Sequence, residues 1–188
     1  MIMARCFVLL LTAAGFFLAS AHLFSEETAL IKYSLDGDWQ FRKAGTQEWH
    51  PARVPGCVHL DLLAAGLIPD PFYRDNEVKV QWVENEDWEY RKEIKIPGQM
   101  LNKEHVELVA QGLDTFAAIF LNGQKVGETD NMFRRYRVDI KSFLKNGKNE
   151  ILIRFDSPVL RGKTLEARLP YRLPGNSPHV RTAPYHFG

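Results

Sequence analysis

The stretch from His105 to Gly127, HVELVAQGLDTFAAIFLNGQKVG, constrains the fold more than any other part of the chain. Between Thr115 and Leu121 both side-chain parities are mostly apolar. A strand of that composition is buried on both faces, in the middle of a sheet that lies between layers. Asn122-Gly123 then supplies the dipeptide that best tolerates the positive φ angles of a two-residue hairpin turn, and Gln124 to Gly127 begins the return strand. A β-sandwich core follows.

The flanking segments fit the same architecture. Ile31 to Leu35 and Trp39 to Arg42 read as two short strands broken by the turn cluster Asp36-Gly37-Asp38. Trp49 to Val54 reads as another, confined to an edge by Pro51. Leucines at 60, 62 and 63, followed by Gly66 where a helix takes its left-handed cap, predict one short helix near residues 58–65. Pro69 to Trp82 reads as an irregular excursion. From Trp88 to Ile96, Trp88, Tyr90, Ile94 and Ile96 share one parity and Glu89, Arg91, Glu93 and Lys95 the other, with Lys92 as the flaw. Val106 to Ala110, Met132 to Ile140 and Asn149 to Asp156 complete seven or eight short strands without βαβ alternation. The expected class is all-β, a jelly-roll sandwich spanning residues 22–156.

Both ends differ from this body. Arg5, the apolar run Cys6 to Leu18 and Ala19-Ser20-Ala21 form a secretory signal peptide over residues 1–21, too short in its apolar part to span a bilayer. Its removal takes one of 24 basic residues and leaves a chain with no excess over its 23 acidic ones, which argues against a nucleic-acid partner. It also leaves Cys57 as the lone cysteine. A lone thiol signals an intermolecular bridge, a partner in a missing part of the chain or a buried structural cysteine, and the last two are favoured. No Asn-x-Ser/Thr sequon occurs. Residues 157–188 hold five of the ten prolines, and Arg161, Lys163, Arg168, Arg172 and Arg181 face only Glu166. An irregular, basic tail is expected there, one that wraps something or leads to something absent.

Candidate chemistry is sparse. Glycoside hydrolysis needs two carboxylic groups held by rigid elements, and three Asn-Glu pairs invite that reading: Asn76-Glu77, Asn85-Glu86 and Asn149-Glu150. Two lie in a charged, irregular stretch and the third opens a strand beside a turn, so solvated loop charge is the better account. Cys57 and His59 stand two apart, which on a helix points them to different faces. No histidine pair has ligand spacing and no Gly-rich phosphate loop occurs, so neither metal nor cofactor is expected. Of the four tryptophans, Trp39 and Trp88 are core candidates, whereas Trp82, in the excursion, stays open as a sugar-stacking residue.

The segments SLDGDWQF, WHPARVPGCVHLDLLAAGLIPDPFYRDNEVKVQWVENEDWEYR, GLDTFAAIFLNGQKVGETDNMFRRY and GKNEILIRFDSP together resemble the leading domain of lysosomal-type β-mannosidases in glycoside hydrolase family two. Asp-Pro-Phe at 70–72, Asn-Glu at 76–77, Gln-Trp at 81–82 and Asp-Trp-Glu-Tyr at 87–90 favour that branch over the family's β-galactosidases and β-glucuronidases. The resemblance implies a galactose-binding-like jelly roll in a retaining exo-hydrolase that removes terminal β-mannose from glycans in the secretory pathway and lysosome. It places both catalytic glutamates on a later barrel domain absent from this chain, so no catalytic residue is assigned here. In the family, a loop similar to Arg181 to Gly188 continues into a Trp-Asp-Trp triplet that contacts substrate. Arg181 and His186 become near-site candidates beside Trp82. The expected partners are a glycan, met through the full-length enzyme, and the barrel itself, with no membrane after signal cleavage. The rival expectation is a free-standing lectin-like module.

Overall fold

The computed structural model describes residues 30–171. The signal-like residues 1–21 and the candidates Arg181 and His186 lie outside the described residues. Among the described residues, the regular elements fall within the unit that begins at Tyr33.

Eight strands are present among the described residues: β1 Gly37–Lys43, β2 His50–Val54, β3 Trp88–Lys95, β4 Glu107–Ala110, β5 Ala117–Leu121, β6 Gln124–Thr129, β7 Tyr136–Asp139 and β8 Lys148–Phe155. Six of them form an antiparallel sheet in the order β2-β1-β3-β8-β5-β6, and β4 pairs with β7 in a second, two-stranded sheet. Among the described residues β2 pairs with β1 alone, the edge position that Pro51 demands. The short helix is α1, Val58–Ala64, ending before Gly66 at φ 70°. Two further single turns are α2 Asn76–Lys79 and α3 Gly98–Leu101, and α4 spans Pro158–Glu166.

The alternation of β3 decides which face is inside. Trp88, Tyr90 and Ile94 are buried and pack with Trp39, Phe41 and Ile151 in one core, while Arg42, Glu89, Arg91 and Arg154 pair on the opposite face. Each fully buried side chain such as Phe41 or Ile151 contributes about 1.5–3 kcal/mol. Trp39 and Trp88 are core residues, as their parity predicts. The flaw, Lys92, lies on the inner parity. Its stem passes Trp39, and its ammonium donates to the Asp38 carbonyl at 2.7 Å, beyond the edge of the core.

β5 lies between β8 and β6, as its composition requires. One parity, Ala117, Ile119 and Leu121, is buried, but Ala118 and Phe120 are only half-covered, so the strand is not enclosed on both faces. Asn122 and Gly123 take φ 52° and 81°, the predicted hairpin conformation. At Gly127 the two sheets meet so closely that a Cβ there would stand 3.0 Å from Val138 Cγ2.

Three expectations need correction. Ile31 to Leu35 forms no strand; β1 instead starts inside the supposed turn, at Gly37 with φ 97°. The excursion Pro69 to Trp82 is not wholly irregular, because α2 and the 3₁₀ turn Gln81–Asn85 both fall in it. The segment after Ser157 opens with a helix. Ser157 caps α4 by accepting from the Leu160 amide at 3.1 Å, and Pro158 occupies the first helical turn, where its missing N–H costs nothing.

Candidate functional site

Between Arg53 and Asp70 the sequence has one charged residue, Asp61. It lies on α1 and is buried. Its Oδ1 accepts the Arg53 backbone N–H at 3.0 Å and its Oδ2 accepts the Tyr90 hydroxyl at 2.7 Å. One carboxylate therefore ties the helix to the edge strand β2 and to the central strand β3. Charge-assisted bonds of this kind contribute about 1.5–3 kcal/mol each. Burial, and then the carboxylate beside it, push the Tyr90 phenol well above its ordinary range. Nothing in the helix period marked Asp61 as buried; its isolation in an apolar run was the available signal.

α1 buries Leu62 with Asp61 and leaves other leucines outside: Leu60 is 61% exposed, Leu63 37% and Leu67, just past the helix, 47%. Half-buried His59 sits on the same helix, and desolvation pushes its pKa down against the opposing pull of Glu84. Cys57, at the helix N-cap, is exposed and free among the described residues, so it is not buried within this module as a structural cysteine would be.

A second feature is an open cleft of about 320 Å³ lined by Asn85, Glu86, Asp87, Arg154 and Leu160 among others. Its carboxylates are held by the chain. Glu86 meets Lys43 at 2.7 Å, while Asp87 accepts from the Ser157 amide at 2.8 Å and from Arg154 at 3.0 Å. Glu89 meets Arg42 at 2.7 Å on the adjacent rung. This network clamps the start of α4 to the 3₁₀ turn, and its chemistry is structural. Among the described residues no three His, Cys, Asp or Glu side chains gather as metal ligands would.

The three Asn-Glu pairs are separated by this geometry. Asn85 and Glu86 line the cleft as described, and Glu86 is a surface ion-pair partner. Asn76 and Asn149, by contrast, are not solvated. Asn76 is buried, donates to the Asp70 carbonyl and accepts from Lys79, both at 2.9 Å. Asn149 is 1% exposed and uses its whole amide: Oδ1 accepts from Asn122 Nδ2 and the Lys145 amide, and Nδ2 donates to the Lys145 and Gly147 carbonyls, all within 2.8–3.1 Å. It stitches the β5–β6 turn to the turn before β8. Trp82 lies on the 3₁₀ turn, 41% exposed, with its ring 6.1 Å from that of Trp88.

The sandwich, its paired surface charges and its short exposed helix belong to a known class of module. The chain is a member of the glycosyl hydrolase 2 galactose-binding domain-like family, whose model matches residues 39–188. Within that class its relatives are β-mannosidases. It is 39% identical over 152 residues to the β-mannosidase of Capra hircus, covering 80% of this chain and 17% of that protein. It is 42% identical over 163 residues to β-mannosidase B of Thermothelomyces thermophilus, covering 82% of this chain and 19% of that protein. The chain thus spans under a fifth of the length of these curated relatives. Among solved structures it resembles a β-D-mannosidase from Dictyoglomus thermophilum, with a TM-score of 0.74 and 46% identity over 76% of this chain and 18% of that one. A β-D-glucuronidase from the same organism, at 0.51 and 22% over 66% of this chain and 19% of that one, shares the fold alone.

Proposed function

We propose that this chain is the leading, galactose-binding-like module of a retaining exo-β-mannosidase that removes terminal β-D-mannose from the non-reducing end of glycans during glycoprotein breakdown. The module is a scaffold. The acid/base and nucleophile glutamates, about 5–5.5 Å apart in a retaining glycosidase, belong to a barrel domain against which the module packs. The observation that carries the reading is the 46% identity to a β-D-mannosidase, set against 22% to a β-D-glucuronidase of the same organism. The paired state of Glu86, Asp87 and Glu89 also supports it, since each carboxylate is already committed to a cation or a backbone amide. Residues 1–21 direct the enzyme into the secretory pathway and so toward the lysosome.

The test uses the purified 188-residue chain and p-nitrophenyl β-D-mannoside. Release of p-nitrophenol stays at background; sustained turnover contradicts a scaffold role. The exposure of Trp82 gives the lectin reading its one foothold. Calorimetry with mannose and mannobiose decides between the two. Saturable micromolar binding that disappears in Trp82→Ala favours a lectin-like module over a scaffold.

A further inference from the structure

A surface helix of a globular domain normally turns its polar residues to water. α1 departs from this: it buries Asp61 beside Leu62, while Leu60 and Leu63, three residues apart, stand on its outer side, and Leu67, just past the Gly66 cap, is exposed as well. From Val54 to Pro69 no charged side chain is exposed, since Asp61 is buried and His59 half-buried. Scattered exposed leucines are ordinary, but a charge-free stripe marks a surface that water does not normally cover. The stripe is also rigid, because Asp61 pins the helix to β2 and β3 through the Arg53 amide and the Tyr90 hydroxyl.

We infer that the outer stripe of α1 is the surface on which the catalytic part of the glycosidase docks. This rests on the reading given under Proposed function. The occupant follows from size and charge. The matched segment is 17% of the Capra hircus enzyme, so most of such a polypeptide lies outside the module, while the family match includes the stripe. Charged groups on the outer face of the large sheet, Arg42 with Glu89 and Arg154 with Asp87, are satisfied where they are and costly to dehydrate. The stripe carries no such cost. Three partly exposed leucines fall well short of the roughly 800 Å² per partner of a free-standing complex. A covalently attached domain, held at high effective concentration, docks on such a patch where a free second copy does not.

The experiment replaces the matched segment of the complete Dictyoglomus thermophilum β-D-mannosidase with this chain and compares that hybrid with the isolated 188-residue chain. Hydroxyl-radical oxidation of Leu60, Leu63 and Leu67 falls about tenfold in the hybrid, and the triple variant Leu60→Asn, Leu63→Asn, Leu67→Asn lowers the hybrid's melting temperature by more than that of the isolated chain, which loses only helix propensity and local packing. Equal oxidation in both, or equal melting of both hybrids, overturns the assignment. A hybrid that protects the leucines but fails to cleave β-mannosides overturns the proposed function and leaves the docking surface standing. If the isolated chain dimerises by light scattering and the triple variant does not, the occupant is a second copy and the inference fails. Should the hybrid not fold, calorimetric titration of the isolated chain into the Dictyoglomus polypeptide lacking its matched segment decides. Saturable binding weakened about tenfold or more in the triple variant supports docking, and equal binding or none overturns it.

Discussion

Breaking the anchor between α1 and the sheet is the sharpest perturbation of the fold. Asp61→Ala removes an acceptor shared by two buried or half-buried donors, the Tyr90 hydroxyl at 2.7 Å and the Arg53 amide at 3.0 Å. Each bond to a charged acceptor contributes about 1.5–3 kcal/mol, so the substitution costs about 3–5 kcal/mol. Tyr90→Phe removes one of the two bonds and costs about 1.5–3 kcal/mol. The double variant loses the shared bond only once. The two effects therefore fall short of additivity by about 1.5–3 kcal/mol, measured by urea unfolding with unchanged m-values. Additivity within about 0.5 kcal/mol refutes the anchor. An independent readout is alkaline stability. Tyr90 keeps its proton in the folded chain above the pH at which the unfolded chain releases it, near 10. The unfolded state then binds fewer protons, so stability is intact below pH 10 and falls as pH rises beyond it, by up to about 1.4 kcal/mol per unit. Tyr90→Phe flattens that slope; a slope unchanged by the substitution contradicts the account.

Asn149→Asp keeps the shape of the side chain but turns two amide donors toward the Lys145 and Gly147 carbonyls into a carboxylate oxygen. It destabilises by about 2–4 kcal/mol at pH 7, and part of the loss returns as the pH falls towards about 4, because burial makes the folded carboxyl take up its proton before the unfolded one and protonation restores one donor; thermal melts across pH show this. Gly56→Ala places a Cβ 2.3 Å from the Arg53 carbonyl oxygen, next to the anchor, and the backbone must move. A loss of about 2 kcal/mol or more in urea is expected, with increased proteolysis near α1. His59 resists protonation in the folded chain. Stability is therefore present above pH 6.5 and declines as pH falls below it, a decline absent in His59→Gln.

The strands were legible because their signals are local. Alternation in Trp88 to Lys95 and the Asn122-Gly123 turn each follow from backbone geometry that no distant contact needs to confirm. α1 was legible as a helix, but its orientation was not. Leucines at 60, 62 and 63 surround the helix axis, and only tertiary pairing with Tyr90 and Arg53 selects the side that carries Asp61 as the inner one. The Asn-Glu pair at 149–150 shows the converse. A dipeptide that recurs in catalytic sites is here a buried amide with four bonds, and no local pattern distinguishes the two uses. α4 did leave a signal, the capping Ser157 followed by Pro158, but proline-rich composition pointed the other way. Lys92 broke the alternation only on paper, since a long stem lets the ammonium leave the core.

The scaffold role proposed for this chain in a β-mannosidase is tested by the activity of its hybrid with the Dictyoglomus thermophilum enzyme. The folded hybrid is expected to hydrolyse p-nitrophenyl β-D-mannoside and to leave p-nitrophenyl β-D-glucuronide untouched, while the 188-residue chain alone hydrolyses neither. A folded hybrid without mannosidase activity, or turnover by the isolated chain, contradicts it.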